Sequence, residues 1–322
     1  MHVVVTGGAG FLGSRLAREL LAAGSLGVAG GEPRPLSRLT LVDRVPAPPD
    51  LVADARVAAV LGDLADPGFP RDALAGADLV VHLAAAVSGE CEADFDLGLR
   101  ANLQATQALL ASCRALGTSP VVVFASSLAV FGGSAETVIT DDTWPVPQTS
   151  YRTQKVMCEY LLADYTRKGF LNGRAVRLMT VSVRPGRPNA AASGFLSGMV
   201  REPLAGQRAV CPVDPGTLVA LASPAKAVGA LLCAATSSDQ AWGGRTALTM
   251  PALTVTVADM AAALTRVAGP QVSALIDWVP DPAVAAMFAT WPARIQAGRA
   301  ARLGLTPDPD FDTVIRMHLA ES

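Results

Sequence analysis

The strongest constraint in this sequence of 322 residues is a glycine-rich turn set between a strand pattern and a helix pattern. Thr6-Gly7-Gly8-Ala9-Gly10-Phe11-Leu12-Gly13 follows the apolar run His2–Thr6 and opens the helical pattern Leu12–Ala23, so Gly7, Gly10 and Gly13 fall at G-x-x-G-x-x-G spacing. The first glycine of such a turn permits the tight bend, and the second lets backbone amides approach a pyrophosphate. The third lets the helix pack on the strand, with the helix N-terminus facing the anion. A glycine triplet in isolation is equally a mere tight turn; the flanking strand and helix make this one a dinucleotide site, with Gly7, Gly10, Phe11, Leu12 and Gly13 as its contacts.

Short apolar runs at His2–Thr6, Leu39–Asp43, Val57–Leu61, Leu79–Leu83, Pro120–Ala125 and Ala175–Arg184 alternate with helical patterns at Leu12–Ala23, Gly98–Ala115 and Ser150–Lys168. Nearly continuous Val- and Leu-rich runs belong to strands buried on both faces, and the right-handed crossover rule then leaves little besides an α/β, doubly wound parallel sheet. Beyond Arg184 the pattern breaks at Pro185-Gly186-Arg187-Pro188-Asn189, which divides a dinucleotide-binding domain at 1–184 from a smaller substrate lobe at 185–322. Strand-like Thr246–Met250 suggests that part of the lobe returns to the sheet, and the Pro/Gly-rich stretch Gly24–Pro35 reads as a surface insertion.

Asp43 ends the second strand, placed to take the adenosine ribose hydroxyls and repel a 2′-phosphate, which favours NAD over NADP. The alternative is an Asp that only caps a turn, and Arg44 beside it partly offsets the charge. Asp63-Leu64 after the third strand either holds the adenine edge or is an ordinary strand end before Ala65-Asp66-Pro67.

Composition closes other routes. With 26 Lys+Arg against 28 Asp+Glu there is no basic field for nucleic acid. No apolar run reaches the roughly 18–20 residues of a membrane span, and the richest stretch, Leu218–Ala235, reads as buried protein. Five scattered cysteines without a Cys-x-x-Cys pair argue for reduced thiols and a cytoplasmic setting. Three histidines make an imidazole-rich metal site a poor expectation. The N-terminus lacks the basic region and cleavage site of a signal peptide, so the mature chain is expected to begin where this sequence begins.

Tyr151 and Lys155 stand one helical turn apart on one face, where an ammonium favours the phenolate of a neighbouring tyrosine. Tyr-x-x-x-Lys by itself is often a solvated helix face. Ser126-Ser127 change that reading, because they end the buried strand Val121–Ala125, where catalytic groups gather in open α/β sheets. A serine there can hold a substrate oxygen while the tyrosine takes its proton.

Together, Thr6 to Gly13, Asp63-Leu64, His82-Leu83-Ala84-Ala85, Ser126-Ser127-Leu128-Ala129-Val130-Phe131-Gly132 and Tyr151 to Lys155 resemble the extended short-chain dehydrogenases/reductases, of the NAD-dependent epimerase/dehydratase group, over nearly the whole length. The resemblance implies a Rossmann fold, Ser127 as the catalytic serine, Tyr151 as acid/base and Lys155 on the nicotinamide ribose. It places Ser126 beside the substrate, Leu83, Ala84 and Ala85 along the cofactor's ribose and phosphate, and Asn102 in support of a proton relay. His82 is expected in the core. Leu128-Ala129 stand where dehydratases carry an Asp-Glu pair, which disfavours dehydration. Ala222 to Lys226 replace the family's His-Val-x-Asp stretch, and no arginine pair suits a nucleotide-sugar diphosphate, so a smaller substrate is expected.

The stretches from Arg184 to Phe195 and from Arg201 to Gln207, with Tyr151-Arg152-Thr153-Gln154-Lys155, are similar to the superfamily's dehydrogenases of small sugar acids. That implies NAD-dependent oxidation of the carbon-2 hydroxyl of D-erythronate or a similar four-carbon sugar acid to the 2-oxo acid. Arg184 or Arg187 would pair with the carboxylate, and Asn189 and Ser193 would bond hydroxyls. Two alternatives stand beside this: a nucleotide-sugar epimerase that keeps its NAD bound, and a non-catalytic dinucleotide-sensing protein on the same fold. The patterns Gly98–Ala115 and Ser150–Lys168 would permit a helix-packed homodimer.

Overall fold

Val3, Val4 and Val5 are wholly buried in the first strand, as a strand covered on both faces requires. In a computed structural model that describes residues 1–186 and 193–321, this strand, β1 (His2–Thr6), lies inside a seven-stranded sheet. The others are β2 (Arg38–Asp43), β3 (Val57–Leu61), β4 (Leu79–His82), β5 (Val121–Ser127), β6 (Asn172–Leu178) and β7 (Leu248–Thr249). Their spatial order is β3-β2-β1-β4-β5-β6-β7, the doubly wound Rossmann order, with its reversal between β1 and β4. β1 pairs in parallel with β2 and β4, β2 with β3, and β4 with β5; Thr6 stands level with Val42 on one side and His82 on the other.

The helices that matter to the site are α1 (Phe11–Ala23), α2 (Ala105–Leu116) and α3 (Ser150–Arg167). The helix expected over 98–115 is present, and its first part, Leu99–Gln104, is wound as a π-helix that runs directly into α2. The run expected as one strand over 175–184 is two: β6 stops at Leu178, and Thr180–Val181 pairs instead with Leu218–Ala222. Gly24–Pro35 forms a small hairpin, Ser25–Leu26 against Arg34–Pro35.

The chain forms two units that interleave along the sequence. The first comprises residues 1–127, 149–177 and 228–248, the second 128–148, 178–227 and 249–322. The first unit's core joins Val4, Val42, Val80, Val122 and Phe124 of the sheet to Leu109, Leu110, Cys158 and Leu162 of the helices. In the second, α4 (Gly194–Leu204), α5 (Val257–Ala268) and α6 (Phe311–Glu321) bury Leu196, Met199, Met260, Leu264, Val314 and Ile315 together. Among the described residues no helix is long and apolar enough to cross a membrane.

Candidate active site

The glycine turn is bound to the sheet through its backbone. The Gly7 and Gly8 N–H groups donate to Val42 O at 2.8 and 3.3 Å, and Ala9 N–H donates to Asp43 Oδ2 at 3.0 Å. Gly7 sits at φ +70°, and a Cβ on it would come within 2.8 Å of Ala84 N, so the turn after β1 and the segment that follows β4 touch backbone to backbone. A Cβ on Gly13 would lie 2.1 Å from Gly7 O, which is how closely α1 seats on the turn. Gly10 opens α1 with no side-chain cap, leaving the first-turn amides to an anion.

Around this turn Phe11, Leu12, Asp43, Asp63, Leu83 and Ala84 are partly exposed and Ala85 is exposed, whereas Leu64 is buried. These residues follow the C-terminal ends of β1 to β4, where ligands bind open α/β sheets. Asp43 Oδ1 accepts from Arg44 N–H at 2.7 Å, so its carboxylate is held by backbone amides at both oxygens. Asp63 accepts from Ala65 N–H at 2.8 Å and faces Arg100 Nη2 at 3.3 Å, while Arg100 also grips Asp66 at 2.6 Å. An uncapped helix, a cradle that side chains on Gly7 and Gly13 would fill, and an oriented carboxylate at the end of β2 fit a dinucleotide.

The second cluster lies where α3 meets the end of β5. Lys155 is buried and donates from Nζ to Ala125 O at 2.9 Å; the same Nζ lies 4.7 Å from the Phe124 ring centroid and 5.8 Å from that of Tyr151. Burial pushes this lysine down to about 8 from its ordinary 10.5. Tyr151 and Ser127 are both partly exposed, in contrast to the buried lysine. Glu92 accepts the Ser150 N–H at 2.7 Å and so terminates α3 on the side of the tyrosine.

Ser126, expected beside the substrate, is buried, and its hydroxyl donates to Glu159 Oε1 at 2.5 Å. Asn102 lies in the π-helical segment and clamps the backbone of one residue from both sides: its Oδ1 accepts from Ala86 N–H at 2.8 Å and its Nδ2 donates to Ala86 O at 3.3 Å. Its own carbonyl accepts from Thr106 Oγ1 at 2.6 Å and from Cys158 Sγ at 3.5 Å. His82 is wholly buried between Thr6 Oγ1 at 2.6 Å and Thr106 Oγ1 at 2.9 Å, and desolvation, helped by the charge of Lys155, lowers it to about 3. It is a neutral core residue.

In the second unit Arg184 Nη2 approaches Ser193 Oγ at 3.5 Å, with the Arg184 N–H on Ser197 Oγ at 3.0 Å and the Arg184 carbonyl taken by Arg201 Nη1 at 2.7 Å. Asn189 and Arg187 lie outside the described residues. Sequence reasoning missed a buried ion pair next to this cluster, Arg177 Nη2 to Glu159 Oε2 at 2.7 Å. Their signals were present: Glu159 follows Lys155 by four on one helix face, and Arg177 interrupts the apolar run of β6, where a charge needs a buried partner.

A doubly wound sheet with a glycine cradle, a serine at a strand end and a Tyr–Lys helix defines a dinucleotide-dependent oxidoreductase scaffold. The NAD dependent epimerase/dehydratase family signature matches residues 3–219, and the chain belongs to that family. It is 50% identical to the D-erythronate dehydrogenase of Cupriavidus necator over 323 aligned positions, 100% of this chain and 99% of that one. It is 39% identical to the D-erythronate dehydrogenase of Haemophilus influenzae, over 99% of each. Among solved structures, a nucleoside-diphosphate-sugar epimerase from Agrobacterium tumefaciens superposes with a TM-score of 0.92 at 41% identity, covering 100% of this chain and 94% of that one.

Proposed function

We propose that the protein is an NAD-dependent dehydrogenase that oxidises the carbon-2 hydroxyl of D-erythronate, or of a similar small sugar acid, to the 2-oxo acid. The observation that carries this reading is half identity, end to end, with a D-erythronate dehydrogenase. The first unit's strand ends would hold NAD through Gly7, Gly10, Phe11, Leu12, Gly13, Asp43, Asp63, Leu64, Leu83, Ala84 and Ala85, with Tyr151 and Lys155 on its nicotinamide ribose. NAD, when bound, supplies the acceptor for the hydride that leaves the substrate carbon.

The protein's own groups handle the proton and the oxygen. Tyr151, as phenolate, takes the proton of the substrate alcohol, and the Lys155 ammonium keeps that phenolate available near neutral pH. Ser127 donates a hydrogen bond to the oxygen and steadies the charge on it. Asn102 supports the relay by fixing the Ala86 backbone at its N–H and its carbonyl, and with it the preceding segment Leu83–Ala85. In the second unit, Arg184 is assigned to the carboxylate and Ser193 and Asn189 to hydroxyls.

NADH absorbance with NAD and a panel of four- and five-carbon aldonates, repeated with NADP, tests the reading. Turnover with D-erythronate and NAD is expected, and Tyr151→Phe should lower it by about three orders of magnitude or more while NAD binding persists. Near-normal turnover of that variant would sink the assignment of the base. The Agrobacterium relative's name favours a second reading, a nucleotide-sugar epimerase. Copurified NAD, silence across the aldonates and turnover of a nucleotide sugar without net NADH would establish it. We place the protein in the cytoplasm, in accord with its thiols. A homodimer packed through α2 and α3, where Met157 and Tyr160 are exposed, is the expected assembly, checked by light scattering on the eluting protein.

A further inference from the structure

Three acidic, basic and aromatic side chains, Tyr151, Lys155 and Glu159, follow one another at four-residue intervals and so share a face of α3. That face is tied to two successive residues of β5. Lys155 Nζ donates to Ala125 O at 2.9 Å, and Ser126 Oγ donates to Glu159 Oε1 at 2.5 Å. The next residue is Ser127. Glu159 is itself held by a forked guanidinium from β6, with Arg177 Nε on Oε1 at 3.0 Å and Nη2 on Oε2 at 2.7 Å. Ser126, Glu159 and Arg177 are 3%, 6% and 7% exposed, so the trio is sealed from water.

An ion pair this deep costs about as much in desolvation as it returns, and an apolar pair of the same shape would be as stable. Stability therefore does not account for it. Its distinctive output is direction: a fixed carboxylate oxygen accepts one hydroxyl at the place where the strand ends. Ser126 and Ser127 are joined by one planar peptide, so a backbone rotation that took Ser126 off Glu159 would swing Ser127 as well.

We propose that Glu159, fixed by Arg177, is a positioning residue for the reaction, which through Ser126 holds the Ser127 hydroxyl in register with the Tyr151–Lys155 face. This rests on the reading that Ser127, Tyr151 and Lys155 carry the chemistry. Ser126 then touches Glu159 and not the substrate.

The test is steady-state oxidation of D-erythronate by Ser126→Ala, Ser126→Thr, Glu159→Gln and the Ser126→Ala/Glu159→Gln double variant, with Tyr151→Phe alongside and a thermal melt of each. Ser126→Ala leaves the ion pair intact and is expected to fold. Its kcat should fall about 10-fold, the scale of a modest misplacement of a reacting group, with KM for NAD and for D-erythronate within about twofold of wild type. Ser126→Thr, which restores the hydroxyl, should recover most of that loss. The double variant should be no slower than the worse single one, since both cut the same link. Should Glu159→Gln fail to fold, the alanine and threonine variants at Ser126 decide the matter alone.

Wild-type kcat in Ser126→Ala overturns the proposal, as does a raised KM for D-erythronate with kcat intact, which would mean a direct substrate contact, or multiplicative losses in the double variant. If Tyr151→Phe remains active, or wild type is silent on D-erythronate, the underlying reading fails and this inference with it. If Tyr151→Phe is dead and Ser126→Ala is fully active, this inference alone fails.

Discussion

Lys155 carries a cost that function explains and stability does not. Its ammonium is wholly inside the first unit, where the acceptor at Ala125 O and the Phe124 ring stand in for water only in part. With the folded value near 8 against an ordinary 10.5, both folded and unfolded chains carry the proton below about pH 8, and the full burial cost opposes folding there. Between about 8 and 10.5 only the unfolded chain binds the extra proton, so stability rises with pH across that window. Lys155→Met removes the charge and loses the bond to Ala125. The apo variant should therefore be more stable than wild type by about 1–2 kcal/mol at pH 7, an advantage that closes toward pH 10, while turnover disappears. Melts at pH 7 and pH 10 check this, and a lower melting temperature than wild type at pH 7 would refute it. Lys155 was legible in the sequence from its spacing to Tyr151; its acceptor was not, because which carbonyl an ammonium reaches is set by how α3 packs on β5.

At the scale of elements, the turn from β1 into α1 shows why some glycines were readable. Strand, glycine triplet and amphipathic helix are all local patterns, and each appears at the expected place: β1 at His2–Thr6 and α1 from Phe11. What spacing could not distinguish is a glycine required by close approach from one required by backbone shape. Gly13 belongs to the first kind, since an added Cβ would meet Gly7 O at 2.1 Å and Gly8 Cα at 2.8 Å, both backbone atoms that cannot step aside. Gly24 belongs to the second, with φ +66° and nothing within 4 Å of the missing Cβ. Gly13→Ala should push α1 off the turn, costing about 1–3 kcal/mol and weakening NAD binding 10-fold or more. Gly24→Ala should cost about 1 kcal/mol through left-handed strain and leave NAD affinity unchanged. Thermal melts with NAD titration separate the two, and equal losses of affinity would contradict the distinction. The π-helical segment before α2 and the end of β6 at Leu178 escaped the sequence for the converse reason: both are fixed by long-range partners, Ala86 for Asn102 and Leu218–Ala222 for Thr180–Val181, while the local pattern runs on unbroken.

For the whole molecule, the decisive feature is that the first unit recruits residues 228–248 from late in the chain. Strand β7 comes from the end of that segment, and Arg174 in β6 shows what else depends on it. This arginine is wholly buried and donates to Ala234 O at 2.6 Å, to Ser237 O at 2.5 Å and to Asp239 Oδ1 at 2.7 Å, all three within the recruited segment. A guanidinium stripped of such partners and still buried costs about 3–5 kcal/mol, and exposing it instead would open the face of β6 to water. Either outcome consumes a large share of a typical domain's 5–15 kcal/mol. A fragment of residues 1–184 holds every motif that identifies the nucleotide site but lacks this segment. It is expected to show no cooperative melt and no upward shift with NAD, whereas the full chain shows both. A cooperative transition of the fragment that moves upward with NAD would mean that the first 184 residues fold by themselves and that the segment around Asp239 is an addition to a finished domain.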